Sequence, residues 1–439
     1  MARIAARQPS KCESVYSNLR IQFTAKHGQP LIDTLLDAVE RAAPRDTIPL
    51  RHAIVHVDES TLTAEATYVQ ASLFDEHRET PLAALQYGET RQAFMVAHVV
   101  PTSVGAAVGG FAGDASPATR LLAATADSVL THPNVVNASD ILYKTENTLY
   151  IEGWGLDRFF LKDMVLRPVV ANRVGVVIER QPARFVDLVR HSVDAAHATC
   201  GIPVVGYAVT DEKVGTRVRR FESGAYAGVI DNPRTLITAA RKLVDAGATA
   251  IAITTEILDL PDIRPYVHGL EPNPHGGVEA VLSHTVSRYF GIPSAHAPMW
   301  GENSQAEDEH FPDADPREGA ELVSLTAIGC VLQGLHRAPR LVSSADRRSS
   351  DIAVSGLSAL VTPAGSLGTI PALACAKYGV PVIGVRENKT IQNVDAGSLG
   401  ITHYYEAANY LEAIGILCAL RCGVSMQSVR RPLAPAPKI

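Results

Sequence analysis

The 439-residue chain contains no stretch near the roughly 18 uninterrupted apolar residues that a membrane-spanning helix requires. Its start, MARIAARQPSKCESV, is positively charged with no apolar segment behind it. Neither export nor membrane insertion is expected. Basic blocks are also missing: 40 Lys plus Arg stand against 46 Asp plus Glu, a net charge of -6. A phosphate-backbone footprint is therefore absent, which excludes nucleic acid as a partner. Cysteine is sparse, with six residues: Cys12, Cys200, Cys330, Cys375, Cys418 and Cys422. None forms a C-x-x-C pair, so no zinc or redox spacing appears, and a reducing cytoplasm is the expected location. What remains is ordinary globular material, 46% hydrophobic and 20% charged, with a mean hydropathy of +0.06. A chain of this length has a prior of two to three domains at about 150 residues each.

The first ninety or so residues differ in pattern from the rest. Tyr16 to Thr24 alternates like a strand, Leu31 to Ala43 has helical apolar spacing, and Ala53 to Val57 and Leu62 to Val69 alternate again. A small α+β accessory domain is expected over residues 1–91, an α/β region carrying the site over 92–429, in one or two lobes, and a flexible Pro-rich tail over 430–439. Beyond Arg91, strands are expected at 94–100, 128–131, 148–152, 174–178, 204–209, 250–254, 359–362 and 380–385. Helices are expected at 117–126, 185–198, 233–246, 276–289, 317–335, 370–378 and 404–421. This alternation implies α/β architecture, mostly parallel sheets covered by helices in a Rossmann-like arrangement. The acidic segment Gly301 to Asp315 reads as an exposed loop or lid. Val99 to Pro117 and Leu360 to Pro371 echo one another, each a strand followed by small residues and a helix start.

The loop GAAVGGFAGDASP, Gly105 to Pro117, is the richest chemical signal. Gly105, Gly109 and Gly110 leave the backbone bare after a strand, Ser103 precedes them, and Asp114 or Ser116 could cap the following helix. Its amides could meet a carboxylate or phosphate, or the loop could be a tight turn packed on a neighbour. The spacing matches neither the dinucleotide fingerprint nor the P-loop. His132, Asn134 and Asn137 fall just past a strand end, the edge where α/β sheets bind ligands. Glu279 and His284 share a helix, and His296 follows a short apolar run. These groups suit proton transfer. A divalent metal is an alternative, but no H-x-x-x-H or H-E-x-x-H spacing supports it, and no cofactor is implied. In the second glycine loop, PAGSLGTIP, Gly365, Ser366, Gly368 and Thr369 stand at a helix entrance suited to an anion, and Arg386 could clamp a carboxylate or pair with a rim acid. Ser366, Asp395 and His403 are too close in sequence for the usual serine triad.

The stretches VVPTSVGAAVGGFAGDASPATRLLA, LTHPNVVNASDILY, LYIEGWGLDRFF, LRPVVANRVGVVIE, GGVEAVLSHTVSRYFGIPSAHAP and ALACAKYGVPVIGVREN resemble the uncharacterised domain of unknown function 3326 family, across about Val99 to Asn388. The resemblance implies a common fold and a shared site, with Gly109, Gly110, Asp114, His132, Asn134, Glu279, His284 and His296 in its motifs. The sequence departs from that pattern at Pro274, His275 and residues 144–147. No reaction follows from it.

The expected function is an enzyme acting on a small polar or anionic metabolite by acid-base chemistry, hydrolysis ranking ahead of isomerisation or elimination. His132, Asp114, Glu279, His284 and His296 are the expected catalytic groups, with loop amides holding an oxyanion. The alternative is a non-catalytic metabolite-binding or regulatory protein, and a nicotinamide-dependent oxidoreductase ranks third. The expected partners are a small-molecule substrate and a second copy of the chain in a homo-oligomer, with no nucleic acid and no membrane.

Overall fold

A computed structural model describes residues 15–25, 28–58, 61–74, 93–110, 113–137, 145–302, 315–317, 327–433 and 435. Two parallel sheets dominate it. The larger has six strands in the spatial order 404–407, 382–385, 357–363, 95–98, 128–131, 148–150. All neighbours in it are parallel. The chain enters at Met95–His98, steps outward to Ser128–Thr131 and Thr148–Tyr150, then returns to the other side of Met95–His98. Numbered in order of appearance, the strands read 3-2-1-4-5-6, a doubly wound Rossmann-like order that reverses direction between Met95–His98 and Leu357–Pro363. The two echoing segments of the sequence are these two adjacent strands and the loops that leave them.

Between the third and fourth strands the chain builds a second parallel sheet, in the order Ser294–Pro298, Ala250–Thr255, Val174–Ile178, Val204–Val209. Val174–Ile178 and Ala250–Thr255 are buried at every position, as their runs without charged residues suit strands covered on both faces. Helices Ala183–Cys200 and Ile328–His336 cover one face, Pro233–Asp245 and Gly276–Phe290 the other. On the larger sheet, Gly153–Phe160 and Ile370–Tyr378 lie on one face, Ser116–Thr125 and Tyr410–Cys422 on the opposite one.

The N-terminal region is an antiparallel sheet, Tyr16–Thr24, Thr61–Gln70 and Thr47–Asp58, with the longest strand, Thr47–Asp58, at one edge. Helix Leu31–Ala42 packs on it, and Tyr68 donates its hydroxyl proton to the Val39 carbonyl at 2.7 Å. Its docking is specific, since the Ile54 amide donates to the Gly368 carbonyl at 2.9 Å and Arg51 donates to the carbonyls of Thr102 and Tyr226.

The expected helix 404–421 is instead strand Tyr404–Ala407 followed by helix Tyr410–Cys422. Asn409 caps that helix by accepting from the Glu412 amide, while Glu412 accepts from the Ala408 amide, a reciprocal pair that starts the helix after the strand. The expected helix 317–335 begins, within the described residues, at Ile328. The proposed boundary at Arg91 and most of the acidic segment lie outside the described residues. Strands Met164–Arg167, Thr216–Arg220, Tyr226–Ile230 and Arg340–Ser343 are additional to those expected, and Ser294–Pro298 is the strand at the short apolar run before His296.

Candidate functional site

A cavity of about 130 Å³ lies where the carboxyl ends of the two parallel sheets face each other. The larger sheet contributes Thr102, His132, Asn134, Asn137 and Gly153, all in segments that follow its first three strands. The smaller contributes His296 and Pro298 from its edge strand, and helix Gly276–Phe290 contributes Gly276, Glu279, Ala280, Ser283 and His284. Glu279 and Ser283 are four apart, as are Ala280 and His284, so these residues form one stripe along the helix. The helix is seated by bare backbone at its start. A Cβ on Gly277 would strike the Tyr226 carbonyl, and one on Gly276 would lie 2.9 Å from Thr102 Cγ2 and 3.1 Å from Ser103 Oγ.

Several imidazoles have their tautomer set by a partner that plays only one role. The Thr255 amide donates to His296 Nε2 at 3.2 Å, so that nitrogen is an acceptor and the proton sits on Nδ1. His296 Nδ1 finds no hydrogen-bond partner, and lies 3.8 Å from Glu279 Oε2. The Val100 amide likewise donates to His132 Nε2 at 3.2 Å, leaving the His132 proton on Nδ1. Asn273 Oδ1 accepts from the His275 amide at 2.8 Å, which identifies it as the oxygen, so His275 Nδ1, 3.1 Å away, donates to it.

Burial holds His132, His275 and His284 neutral. It depresses His132 to about 4 and His284 to about 3, and lowers His275 as well. His284 Nε2 is 3.6 Å from Glu152 Oε2. Glu152 caps helix Gly153–Phe160, accepting from the Trp154 and Gly155 amides at 2.9 and 2.5 Å, yet burial raises its carboxyl to about 8. Gly153 is needed between the two, because a Cβ there would lie 2.5 Å from His284 Nε2.

Of the expected site residues, His132, Asn134, Asn137, Glu279, His284 and His296 come together at the cavity. Asp114 does not line it; its Oδ1 accepts from the Gly109 amide at 2.6 Å inside the loop. It caps no helix either, since Ala115 occupies the position before Ser116–Thr125. Four amides of the first glycine loop are already engaged: those of Ala107, Val108, Gly109 and Ala115 go to Lys389 O, Asn388 Oδ1, Asp114 Oδ1 and Val135 O. Gly110 and Gly113 permit close backbone approach, to Ala106 and Asn137 respectively, and Gly105 packs on Pro272. Ser103 donates to the Asn273 carbonyl at 2.9 Å from a left-handed backbone (φ 57°), fastening the loop to the segment that carries His275. Asn134 gives its amide protons to the carbonyls of Val100, Pro101 and Gly109.

The second glycine loop lies elsewhere. Gly368 packs against the Ile54 carbonyl, Gly365 against that of Gln392, and the buried Ser366 shares a hydrogen bond with Thr390 Oγ1 at 2.9 Å. Thr369 precedes helix Ile370–Tyr378 without a side-chain cap bond. These residues dock the N-terminal sheet and the 390–394 segment. Arg386 is an exposed rim residue paired with Glu406 at 3.1 Å.

Residues not singled out include Thr102, Glu152, Asn273, Ser283 and Cys330. His275 had drawn notice only as a departure from the family pattern. The strand-end position of Glu152, followed by Gly153, was an available signal for a capping carboxylate at the ligand edge. Among the described residues no group of three or more His, Cys, Asp or Glu is disposed to hold a metal ion.

No solved structure matches the chain. A curated relative, an uncharacterised lipoprotein of Synechococcus sp. (strain ATCC 27144 / PCC 6301 / SAUG 1402/1), is 35% identical over 333 residues, covering 74% of this chain and 90% of its own length. Its being a lipoprotein overturns the cytoplasmic location expected above. Sparse, unpaired cysteines speak to metal and disulfide chemistry and carry no information about lipid anchoring. Among the described residues no helix is long and apolar enough to cross a membrane. A family model described as a protein of unknown function, DUF3326, matches residues 95–430, and this chain therefore belongs to that family.

Proposed function

We propose that the chain is an enzyme that acts on a small polar metabolite by acid-base chemistry in this cavity, with hydrolysis ranking ahead of isomerisation or elimination. One observation carries the reading: a histidine of fixed tautomer, His296, presents an unpartnered Nδ1 proton 3.8 Å from the only carboxylate among the described lining residues, Glu279. Glu279 is 21% exposed and can exchange protons with a ligand, while His296, anchored behind by Thr255, orients the reacting group. His132, held neutral, is a hydrogen-bond donor that does not compete for the proton. Among the described residues no Lys or Arg lines the cavity, which favours an uncharged polar ligand over the carboxylate or phosphate suggested by the glycine loops.

Replacing Glu279 with Gln removes the proton acceptor at little cost in shape. It should lower kcat on the substrate found by screening the purified chain against small metabolites by about 10²–10⁴-fold, with an unchanged unfolding midpoint. Unchanged turnover in E279Q overturns the reading. The alternative, a metabolite-binding protein without turnover, is favoured by one observation: the amides of Ala107, Val108, Gly109 and Ala115 are already hydrogen-bonded within the protein and so are not donors to an oxyanion. The same engagement counts against a dinucleotide at that loop, despite the Rossmann-like strand order. The lipoprotein relative supports a membrane-anchored, non-cytoplasmic location, which cell fractionation tests directly.

A further inference from the structure

The cavity wall makes a demand on ligand shape that is narrower than polarity. His296 Nδ1 is a donor, because its Nε2 accepts from the Thr255 amide, and Glu279 offers carboxylate oxygens. At 3.8 Å the two are too far apart to satisfy each other, and no other described group reaches His296 Nδ1. A buried donor without a partner is costly, so a ligand that supplies an acceptor there recovers that energy on binding. The same ligand must present a proton to Glu279.

We infer that the ligand bears a compact carboxamide or lactam, whose carbonyl oxygen accepts from His296 Nδ1 while its N–H donates to Glu279. The inference rests on the cavity being the functional site proposed above. An amide places its acceptor and donor about 2.3 Å apart on one planar edge, so both hydrogen bonds to wall atoms 3.8 Å apart can run nearly straight. A single hydroxyl oxygen bridging the same atoms at ordinary length would have to bend them to about 85°, far from its preferred geometry. A carboxylate has no proton for Glu279 and meets its charge. An ammonium has no acceptor for His296. His296 is sealed from solvent while Glu279 is partly exposed, so the amide edge approaches from the Glu279 side.

Four probes of matched size separate these cases on the purified full chain: propionamide, propionate, propylammonium and 1-propanol, with affinities measured by calorimetry or ligand-observed NMR. Propionamide should bind at least about tenfold more tightly than each of the others, the usual price of one unmatched buried polar group. Glu279→Gln turns the wall from donor plus acceptor into one that can offer two donors. The amide-to-carboxylate preference should then fall at least about tenfold, because propionate becomes complementary and the charge opposing it is gone. Equal or tighter binding of propionate, propylammonium or propanol by the native chain overturns the inference. So does a preference unchanged in E279Q, or no binding by any probe up to about 50 mM, where even weak complexes of this kind register. An amide that binds selectively but is never turned over sinks the enzyme reading alone. Turnover of a substrate without an amide edge sinks this inference and leaves that reading intact.

Discussion

His52 lies on strand Thr47–Asp58 opposite Ala66, 6% exposed, with neither ring nitrogen hydrogen-bonded. Burial lowers its pKa from 6.5 to about 4, with the charge of Arg158 adding to the effect. The fold therefore holds the ring neutral, and its contribution to stability is fully present above pH 6.5 and lost as pH falls toward 4. His52→Leu removes both the orphaned nitrogens and the titration. Near neutral pH the variant should be more stable by about 1–3 kcal/mol, less any cost of imperfect fit. The fit adds a constant; the pH dependence does not depend on it. Below pH 6.5 the gap should widen by about 1.4 kcal/mol per unit, approaching about 3.4 kcal/mol of added difference at pH 4. Taking the difference between two chains cancels every other titrating group, including Glu152 and Asp157, whose raised pKa values act in the opposite sense. Urea unfolding of both proteins at several values between about pH 7.5 and 4.5 measures the gap. A gap that stays flat across that range refutes the assignment of His52 as a neutral, unpartnered core residue.

Two further substitutions test the packing that builds the site. Gly277→Ala should destabilise by about 2 kcal/mol, since the clash with the Tyr226 backbone outweighs the roughly 1 kcal/mol gained from alanine in a helix. Gly415→Ala, on helix Tyr410–Cys422 with open space around it, should gain about that 1 kcal/mol, and thermal melts of the pair reveal whether approach or flexibility explains each glycine. Gly368→Ala drives a methyl into the Ile54 carbonyl and should loosen the N-terminal sheet, read as faster proteolysis within residues 15–74 while the rest of the chain resists.

Buried parallel strands were legible because Val174–Ile178 and the Ala250–Ile253 run of Ala250–Thr255 are continuous stretches without a polar side chain. Ser294–Pro298 was legible only as a strand end beside His296, since SAHAP is short, small and interrupted by the histidine that the site uses. Tyr404 to Arg421 read as one helix because its apolar spacing runs on, although Asn409 followed three positions later by Glu412 carried the capping signature. At the site, His132, Glu279, His284 and His296 could be picked out by residue type and position near strand ends or on a helix. The purpose of the glycines could not. A bare amide waiting for an anion and a bare Cα making room for a neighbouring backbone look identical in sequence. Only the partner decides, and for Gly113, Gly277 and Gly368 the partner is remote in the chain.

The second parallel sheet leaves and rejoins the first through strands that pair with each other, Arg167 opposite Arg340. One short linker could thus replace the whole excursion on paper. In packing terms no such excision is available: Val100, Val135 and Tyr150 from the outer chain share a core with Val174, Ile178 and Leu332 from the inner one. The two sheets are bound to melt together, and calorimetry of the intact chain should register them as a single cooperative event rather than as host and guest.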